Sequence, residues 1–252
     1  MRLIVLLCLL LVSLPVRAEQ VVLGISQDEV AITATFEGDE ILIFGAIQRE
    51  TPIDAERPLS VVITVEGPSS PIVVRRKERR FGIWVNVDAV EVDAAPSFYA
   101  VTTSGPLDEV LTNTENLRHN VTIDRAIQSR GAPMHITDTE AFSEALIRIR
   151  ERSGLYKTIE GGVDLEEQTL FHTNVSLPSN LTEGHYEARI FLTREGEVVD
   201  MYRTPIEVRR VGIGQWLFAL SRSQPLIYGL MSLAIAIAAG WSASTVFSAL
   251  RR

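Results

Sequence analysis

Apolar and polar residues alternate with a period of two through much of the middle of the chain, which predicts β-strands that each bury one face. The alternation starts over residues 30–36, and Glu37-Gly38-Asp39 predicts a tight turn into a second strand over 41–47. Four more strands are predicted in this half, over 59–65, from Ile72 onward, over 81–87 and over 97–102. Short strands separated by turns that contain Gly and Pro are typical of an antiparallel β-sandwich.

The period changes between residues 106 and 155, where the spacing of apolar residues predicts helices. Thr137-Asp138-Thr139-Glu140 matches a capping box, and Gly154 is placed to end the helix that follows. The apolar stripe of this helix comprises Phe142, Ala145, Leu146 and Ile149. An earlier helix is predicted over about 108–130. We expect these helices to cover a sheet edge or to bridge two sheets.

The strand pattern returns over 169–175, 186–192 and 199–208, with turns at Glu183-Gly184 and Arg194-Glu195-Gly196. Closely spaced short strands predict a second, immunoglobulin-like β unit next to the membrane. The expected fold class is therefore mainly β: an antiparallel, immunoglobulin-like β-sandwich with one or two inserted helices and one C-terminal transmembrane helix.

Both ends of the chain are apolar and nearly uncharged. Residues 3–14 follow Arg2 and precede Ala18, which is the arrangement of a secretory signal peptide cleaved after Ala18. The alternative is a membrane anchor, but the apolar stretch is shorter than the ~20 residues that a span requires. Residues 226–250 hold no charge, can cross a bilayer and end at Arg251-Arg252. We expect a single-pass protein with its N-terminal part outside and no cytoplasmic domain of its own.

Two features near the C-terminus go beyond anchoring. Small residues recur every four positions along the span and would let another helix approach closely. The alternative explanation is composition, because 12 of the 25 residues in the span are Gly, Ala or Ser. Before the span, apolar residues at helical spacing predict an interfacial helix, with Arg222 on its polar side. The recurring small residues are Ser232, Ala236, Gly240, Ser244 and Ser248, and the interfacial apolar residues are Ile213, Trp216, Leu217 and Leu220.

These patterns divide the chain into seven segments. They are a signal peptide (1–18), an N-terminal β-sandwich unit (19–105), a helical insertion or bridge (106–156), a C-terminal immunoglobulin-like β unit (157–211), an interfacial helix (212–224), a transmembrane helix (225–250) and a cytoplasmic tail (251–252).

Composition narrows the classes of function. The chain has 252 residues, 46% of them apolar, and its mean hydropathy of +0.15 reflects the two apolar ends. The part between them carries 32 acids against 20 bases, a net charge of about −12, which disfavours nucleic acid as a partner. Cys8 is the only cysteine and lies inside the expected signal peptide. Disulfides and thiolate chemistry are therefore not expected in the mature chain.

No pattern in the sequence points to an active site. The histidines His119, His135, His172 and His185 lack the spacing of metal ligands, and no Gly-x-Ser-x-Gly or complete dinucleotide-binding motif occurs. His172 and His185 lie on adjacent predicted strands, where they either meet across a turn or are ordinary surface histidines. We expect no catalytic residue, no metal ligand and no cofactor.

The most distinctive surface feature is a run of five bases within residues 75–80, on an otherwise acidic body. One hypothesis is a docking site for an acidic partner or for anionic lipid headgroups, with Trp84 as an anchor. The alternative is an edge strand whose charges discourage aggregation, with Trp84 filling the core. The candidate partner-binding residues are Arg75, Arg76, Lys77, Arg79, Arg80, Trp84 and Asn86.

Four segments carry a family resemblance: residues 75–86, 95–101, Gly154-Leu155-Tyr156, and 224–230 together with Gly240-Trp241. On these segments the chain resembles the putative transmembrane protein family of alphaproteobacteria, over nearly its whole length. The resemblance implies a periplasm-facing protein of the inner membrane and suggests a sulfite-exporter-like permease as a partner. It implies no mechanism.

Taken together, the patterns favour a non-enzymatic, membrane-anchored periplasmic protein that works by binding, as an accessory protein of an inner-membrane complex. Its expected partners are the membrane and either another membrane protein or a second copy of itself, through the transmembrane helix. One alternative is a solute-binding module with a pocket between the two β units. The least expected alternative is a periplasmic enzyme, which would need two titratable groups within hydrogen-bond reach in one cleft.

Overall fold

The computed structural model describes residues 19–27, 29–33, 36–49, 56–127 and 138–250, so the expected signal peptide and cytoplasmic tail lie outside the described residues. The strands are β1 Glu19–Ile25, β2 Glu29–Ile32, β3 Gly38–Arg49, β4 Leu59–Glu66, β5 Ser69–Arg80, β6 Ile83–Pro96, β7 Tyr99–Thr103, β8 Tyr156–Ile159, β9 Asp164–Glu166, β10 Leu170–Pro178, β11 Gly184–Arg194 and β12 Glu197–Arg210. The helices are α1 Leu107–Val110, α2 Asn113–His119, α3 Ile123–Ala126, α4 Thr139–Arg152, α5 Ile213–Ser223 and α6 Pro225–Leu250. The predicted class is confirmed: the fold is mainly β, with few helices and one C-terminal apolar helix.

The first predicted hairpin does not form, which corrects the expected turn from residues 30–36 into 41–47. Strand β2 pairs with β12, whereas β3 lies between β1 and β10. In the β1–β3 pair, Ile25 is opposite Ile43. A period of two identifies a strand and its buried face but selects no partner, and here the partners are distant in sequence.

Strands from both predicted β units are interleaved in the two larger sheets. The four-stranded sheet has the order β1-β3-β10-β9, and the six-stranded sheet has the order β2-β12-β11-β4-β7-β8. Strand β10 runs antiparallel to β3, and β11 runs antiparallel to β4 with Ile190 opposite Ile63. Strands β7 and β8 are parallel, so the six-stranded sheet is mixed. The segments 19–105 and 157–211 thus contribute strands to shared sheets.

One face of the six-stranded sheet packs against the four-stranded sheet. The hydroxyl of Thr102 on β7 lies 3.5 Å from the hydroxyl of Thr173 on β10, which joins the two sheets. Ile63 on β4 lies opposite Thr102, Ile190 on β11 lies opposite Ile63, and both isoleucines are fully buried. This is the sandwich core that the alternating pattern predicted.

The opposite face of the six-stranded sheet packs against the helical segment. Phe191 on β11 and Val62 on β4 lie opposite each other on this face, and both are fully buried. They share a hydrophobic core with Val110, Val121 and Leu146 from the helices and the connections between them. The helical segment therefore covers the sheet as a third layer.

The long helix expected over 108–130 is replaced by three short helices, α1 to α3. The hydroxyl of Thr112 accepts a hydrogen bond from the backbone N–H of Glu115 at 3.4 Å, which caps the start of α2. Asn120 ends α2 in the left-handed conformation, with φ 49°. These local breaks stop a single helix from forming, and residues 128–130 lie outside the described residues.

Helix α4 forms where the sequence predicted it but begins one residue later than the capping box. Its N-cap residue is Asp138, whose side chain makes no capping hydrogen bond and contacts Arg76 instead. Thr137, the predicted cap, lies outside the described residues. Beyond the helix, Gly154 has φ 71°, as expected of a glycine that ends a helix.

A second compact unit contains the described parts of residues 31–36 and 209–250. Residues Pro225–Thr245 of α6 form the one helix, among those described, that is long and apolar enough to cross a membrane. In α5, Trp216 and Phe218 are exposed, and the Arg222 guanidinium lies 5.1 Å from the Phe218 ring centre. The helix before the span thus forms, and its place at the membrane interface stays a prediction.

Candidate functional site

Strands β5 and β6 form a hairpin arm, residues Ser69–Pro96, that pairs with no other strand in the described part of the chain. The arm runs from Ser69 opposite Pro96 at its base to Arg80 opposite Ile83 at its tip. Its base half buries Val90 and Val92. Its distal half, residues 77–86, is almost wholly exposed. The distal half has four residue pairs. Each pair adds ~3.3 Å along the strand, so the arm extends about 13 Å beyond its base half.

The base of the arm is held against helix α4. Val74 packs against Phe142, and the Arg76 guanidinium lies 4.5 Å from the centre of the Phe142 ring. The same guanidinium lies 3.6 Å from the carboxylate of Asp88 across the hairpin and hydrogen-bonds Asp138 at the start of α4. Of the candidate partner-binding residues, Arg76 therefore has a structural role at the base.

The tip of the arm exposes three large apolar side chains. Phe81 is fully exposed, Ile83 is 65% exposed and Trp84 is 68% exposed. Phe81 and Gly82 both have positive φ, at 50° and 87°, which is the pattern of a type I′ hairpin turn. A Cβ on Gly82 would meet nothing within 4 Å, so there is open space beside the turn. Glycine and asparagine suit such a turn, whereas phenylalanine is strained in it.

Bases and the exposed aromatic share one face of the distal arm. Arg79 lies directly opposite Trp84, and Lys77 lies directly opposite Asn86. Opposite residues in an antiparallel pair project to the same side, so these four form one surface.

The distal bases are largely free to meet a ligand. Arg80 lies 3.3 Å from Glu78, and both side chains are mostly exposed. Among the described residues, no ion pair or side-chain hydrogen bond involves Arg75, Lys77 or Arg79. The arm is therefore a cationic surface on a body whose net charge is strongly negative.

The geometry of the arm bears on both interpretations of the basic strand, as a docking site and as an edge protected by charge. Trp84 does not fill the core, because two thirds of its side chain is exposed. Both strands of the arm have a free edge in the described structure, so a role of the charges in discouraging edge pairing stays a prediction. The structure brings together Lys77, Arg79, Trp84 and Asn86 on one face and assigns Arg76 to the base.

We expect Phe81→Asn to stabilise the arm, because asparagine adopts the left-handed conformation more readily than phenylalanine. Amide hydrogen exchange in the strand residues beside the turn should slow by about fivefold. Phe81→Ala removes the same ring but keeps the unfavourable conformation, so its exchange should stay close to that of the wild type. Equal or faster exchange in Phe81→Asn would show that the turn is not strained.

Sequence reasoning missed a buried polar network at Arg189 on β11. The Arg189 side chain is only 9% exposed and donates to the hydroxyls of Thr64 at 3.0 Å and Tyr99 at 2.7 Å. It also donates to the backbone carbonyls of His119 and Asn120 at the end of α2, at 2.9 and 3.2 Å. One side chain thus ties β4, β7 and β11 to the helical layer. An arginine at an alternating strand position looks like a surface residue, so the sequence held no signal for this role.

Burial also changes the acid–base properties of the residues around Arg189. Burial raises the pKa of the Tyr99 phenol far above its usual value, although Arg189 acts in the opposite direction. Burial likewise raises the pKa of Glu66, whose carboxylate lies 3.8 Å from Arg189. The network is therefore stabilising when Tyr99 is neutral and donates its proton to the carbonyl of Val121 at 2.9 Å.

A shallow cleft of about 410 Å³ lies beside helix α2 and strand β12. On its wall, Glu115 Oε2 lies 3.3 Å from Nε2 of His119, and the other carboxylate oxygen binds Arg118. Both partners come from the same short helix, and the carboxylate is 7% exposed, with Oε2 making no hydrogen bond among the described residues. Among the described residues, no group of three or more His, Cys, Asp or Glu side chains is placed to hold a metal ion.

The other histidines do not come together. His172 is on β10 and lies 3.5 Å from Asp164, whereas His185 is on β11 and lies 3.2 Å from Glu207. These strands belong to different sheets, which corrects the expectation that the two histidines lie on adjacent strands. His135 lies outside the described residues.

The small residues of the span lie along a continuous helix. Ser232, Ala236, Gly240 and Ser244 are on α6, and the hydroxyl of Ser232 donates to the carbonyl of Tyr228 at 2.9 Å. A Cβ on Gly240 would meet nothing within 4 Å. The side chain of Ser248 lies outside the described part. The packing role of these residues stays a prediction.

A mainly β body and a helix long and apolar enough to cross a membrane suggest a membrane protein. It belongs to the family described as "Putative transmembrane protein (Alph_Pro_TM)", whose profile matches residues 20–249. The family resemblance noted in the sequence is thereby confirmed. The family description carries no specific role.

Similarity outside the family is slight. No curated protein matches the sequence. Among solved structures, the sporulation control protein Spo0M from Bacillus subtilis is similar with 9% identity and a TM-score of 0.30. The alignment covers 81% of this chain and 55% of the Spo0M chain, so this chain spans about half the length of that protein.

Proposed function

We propose that this chain is a non-enzymatic binding protein anchored in the bacterial inner membrane, with its β-rich body in the periplasm, and that it serves as an accessory subunit of a membrane complex. The observation that carries the proposal is the hairpin arm. An exposed tryptophan beside unpaired bases is a combination found in protein interfaces and in segments that bind membrane surfaces. The arm is therefore the binding element.

Charge contrast supports the same conclusion. The body repels anionic surfaces, whereas the distal arm places Lys77 and Arg79 beside Trp84. Complementary charge raises the rate at which two binding partners associate and disfavours partners that carry the same charge. The periplasmic location rests on the expected signal peptide and on the family resemblance.

The transmembrane helix provides a second contact. Its residues Pro225–Thr245 have no buried positions within the chain itself, so their surface is open to lipid or to another helix. The small residues at Ser232, Ala236, Gly240 and Ser244 suit close helix packing. We propose a polytopic membrane protein as the partner, of which a sulfite-exporter-like permease is one example, and a second copy of this chain as the alternative.

A solute-binding module and a periplasmic enzyme are the other functions that the sequence left open. The cleft beside Glu115 and His119 is one place where either could bind a ligand, and its Glu115 carboxylate is paired with Arg118. That arrangement stabilises α2 and favours neither function. We therefore retain the accessory role as the proposal.

The proposal is tested by crosslinking the tagged full-length chain in intact membranes and identifying what co-purifies. We expect one polytopic membrane protein in the wild type and a loss of at least tenfold in Gly240→Ile/Ser244→Ile, because two bulky side chains block close helix approach. Ala238→Ile/Ser242→Ile is the matched control, since these positions lie roughly half a turn away around the helix. Recovery of the tagged chain alone in every version would refute the accessory role.

A further inference from the structure

We propose that the hairpin arm binds a bilayer surface that contains anionic lipid, with the tip entering the headgroup region and the bases behind it contacting lipid phosphates. This inference rests on the proposed function, since it takes the arm as the binding element, and it adds the class of ligand. The residues that enter are Phe81, Ile83 and Trp84, and the contacting bases are Arg79, Arg80 and Lys77.

The order of side chains along the arm carries the argument. The large apolar residues are confined to the last turn, at positions 81, 83 and 84, where all three are mostly or fully exposed. On β5, Arg80 and Arg79 lie opposite Ile83 and Trp84, and Lys77 lies further toward the base. A segment that enters a bilayer needs hydrocarbon at its leading end and cations at the depth of the phosphates, about 5–10 Å behind. In the arm Phe81 leads, Arg79 and Arg80 lie level with the other two apolar residues, and Lys77 lies behind them. The long, flexible stems of these bases let their charged groups extend back to the phosphates.

A protein interface would be built differently. Its aromatic anchors lie at the centre of a patch and are ringed by polar residues on all sides. Here the apolar residues form an apex with nothing beyond it, and polar groups lie on one side only. The apex contains Phe81 in a left-handed turn position that favours glycine or asparagine. Strained residues that persist at an exposed site point to a functional demand.

Charge complementarity selects anionic lipid over a neutral bilayer. Lys77 and Arg79 have no ion-pair partner in the described part of the chain, and the rest of the body is acidic. A cation close to an anionic membrane gains about fivefold in binding for each charge. A protein that belongs to a transmembrane family also resides at a bilayer.

The test uses the fluorescence of Trp84 in the full-length chain. Trp216→Phe and Trp241→Phe leave Trp84 as the sole tryptophan, because the chain has three. The protein is reconstituted in vesicles of phosphatidylcholine alone, or of equal parts phosphatidylcholine and phosphatidylglycerol, with brominated acyl chains as quenchers. We expect blue-shifted, strongly quenched Trp84 emission in the anionic vesicles and weak quenching in the neutral ones.

Matched variants separate the two parts of the arm. Phe81→Ser/Ile83→Ser should abolish the quenching, whereas Ile149→Ser, at another exposed isoleucine on α4, should leave it unchanged. Lys77→Glu/Arg79→Glu should lower the inserted fraction by more than tenfold, and Arg152→Glu on α4 should have no effect. Each control makes one substitution of the same chemical kind outside the arm.

Two results would overturn the proposal: unquenched Trp84 in anionic vesicles, or equal quenching in neutral and anionic vesicles. If Trp84 is not quenched but Lys77→Glu/Arg79→Glu abolishes co-purification, the arm binds an acidic protein, and the accessory function stands without the lipid contact. If Trp84 is quenched but nothing co-purifies, the lipid contact stands and the accessory role fails. Crosslinks from the arm to the acidic body of another tagged chain, without quenching, would identify a second copy as the ligand.

Discussion

Replacing Arg189 with methionine should lower the free energy of unfolding by about 3 kcal/mol, because the change removes one member of a buried charged network. Thr64 and the carbonyls of His119 and Asn120 would each lose a hydrogen-bond partner in a site with little access to water. Methionine fills a similar volume, so the loss reflects the unpaired polar groups rather than a cavity. Chemical denaturation of the full-length chain in detergent, followed by circular dichroism, measures the effect.

Two further variants identify the source of the loss. Arg203→Met removes an exposed arginine that lies 3.9 Å from Glu187 and should cost less than about 1 kcal/mol. Arg189→Lys keeps the charge but cannot reach the hydroxyls and both carbonyls with one planar group, so its stability should fall between wild type and Arg189→Met. If Arg189→Met were as stable as Arg203→Met, the network would contribute little to folding.

The sequence predicted individual elements better than their partners. Alternation located nine of the twelve described strands because each buries one face, but it did not predict β1, β8 or β9. Helical spacing located α4, and an uncharged apolar stretch located α6. Pairing failed at β2, which joins β12 rather than β3, because a period of two is compatible with any partner of similar length. The interleaving of strands from the two halves follows from such non-local pairing. No local pattern encodes it.

The candidate site shows the same division between local and non-local information. The run of bases and Trp84 are adjacent in the chain, so their composition marked the surface directly. Whether Trp84 is exposed depends on how far β5 and β6 extend beyond the body, which a strand pattern leaves undetermined. Phe81 was missed because a phenylalanine in an apolar alternation looks like a core residue, and its positive φ is visible only in the turn geometry.

The stability of the body and the placement of the arm are linked through one core. Ile72 and Val74, at the base of the arm, pack against the hydrophobic core that contains Phe191 and Leu146. Arg76 then fixes the arm to helix α4 through Phe142 and Asp138. The base of the arm is thus fixed to the three-layer body, which lowers the entropy lost when the tip binds a surface.

Phe191→Ala is expected to have the largest effect of any single change considered, lowering the free energy of unfolding by about 3–5 kcal/mol. The side chain is fully buried at the centre of the core between the six-stranded sheet and the helices. Its ring lies 5.5 Å from the His119 ring and 5.6 Å from the Arg189 guanidinium, so the cavity would open beside the polar network. Denaturant midpoints of the full-length chain measure the loss.

Phe81→Ala is the matched control, because it makes the same substitution at a fully exposed position and should not lower stability. The change in Phe191 should also speed amide exchange at the base of the arm, where Ile72 and Val74 pack on the same core. The double variant Phe191→Ala/Arg189→Met should lose less stability than the sum of the two single losses. The two side chains are in contact, and either change alone already loosens the helical layer. Strictly additive losses, with unchanged exchange in the arm, would show that the arm is held independently of this core.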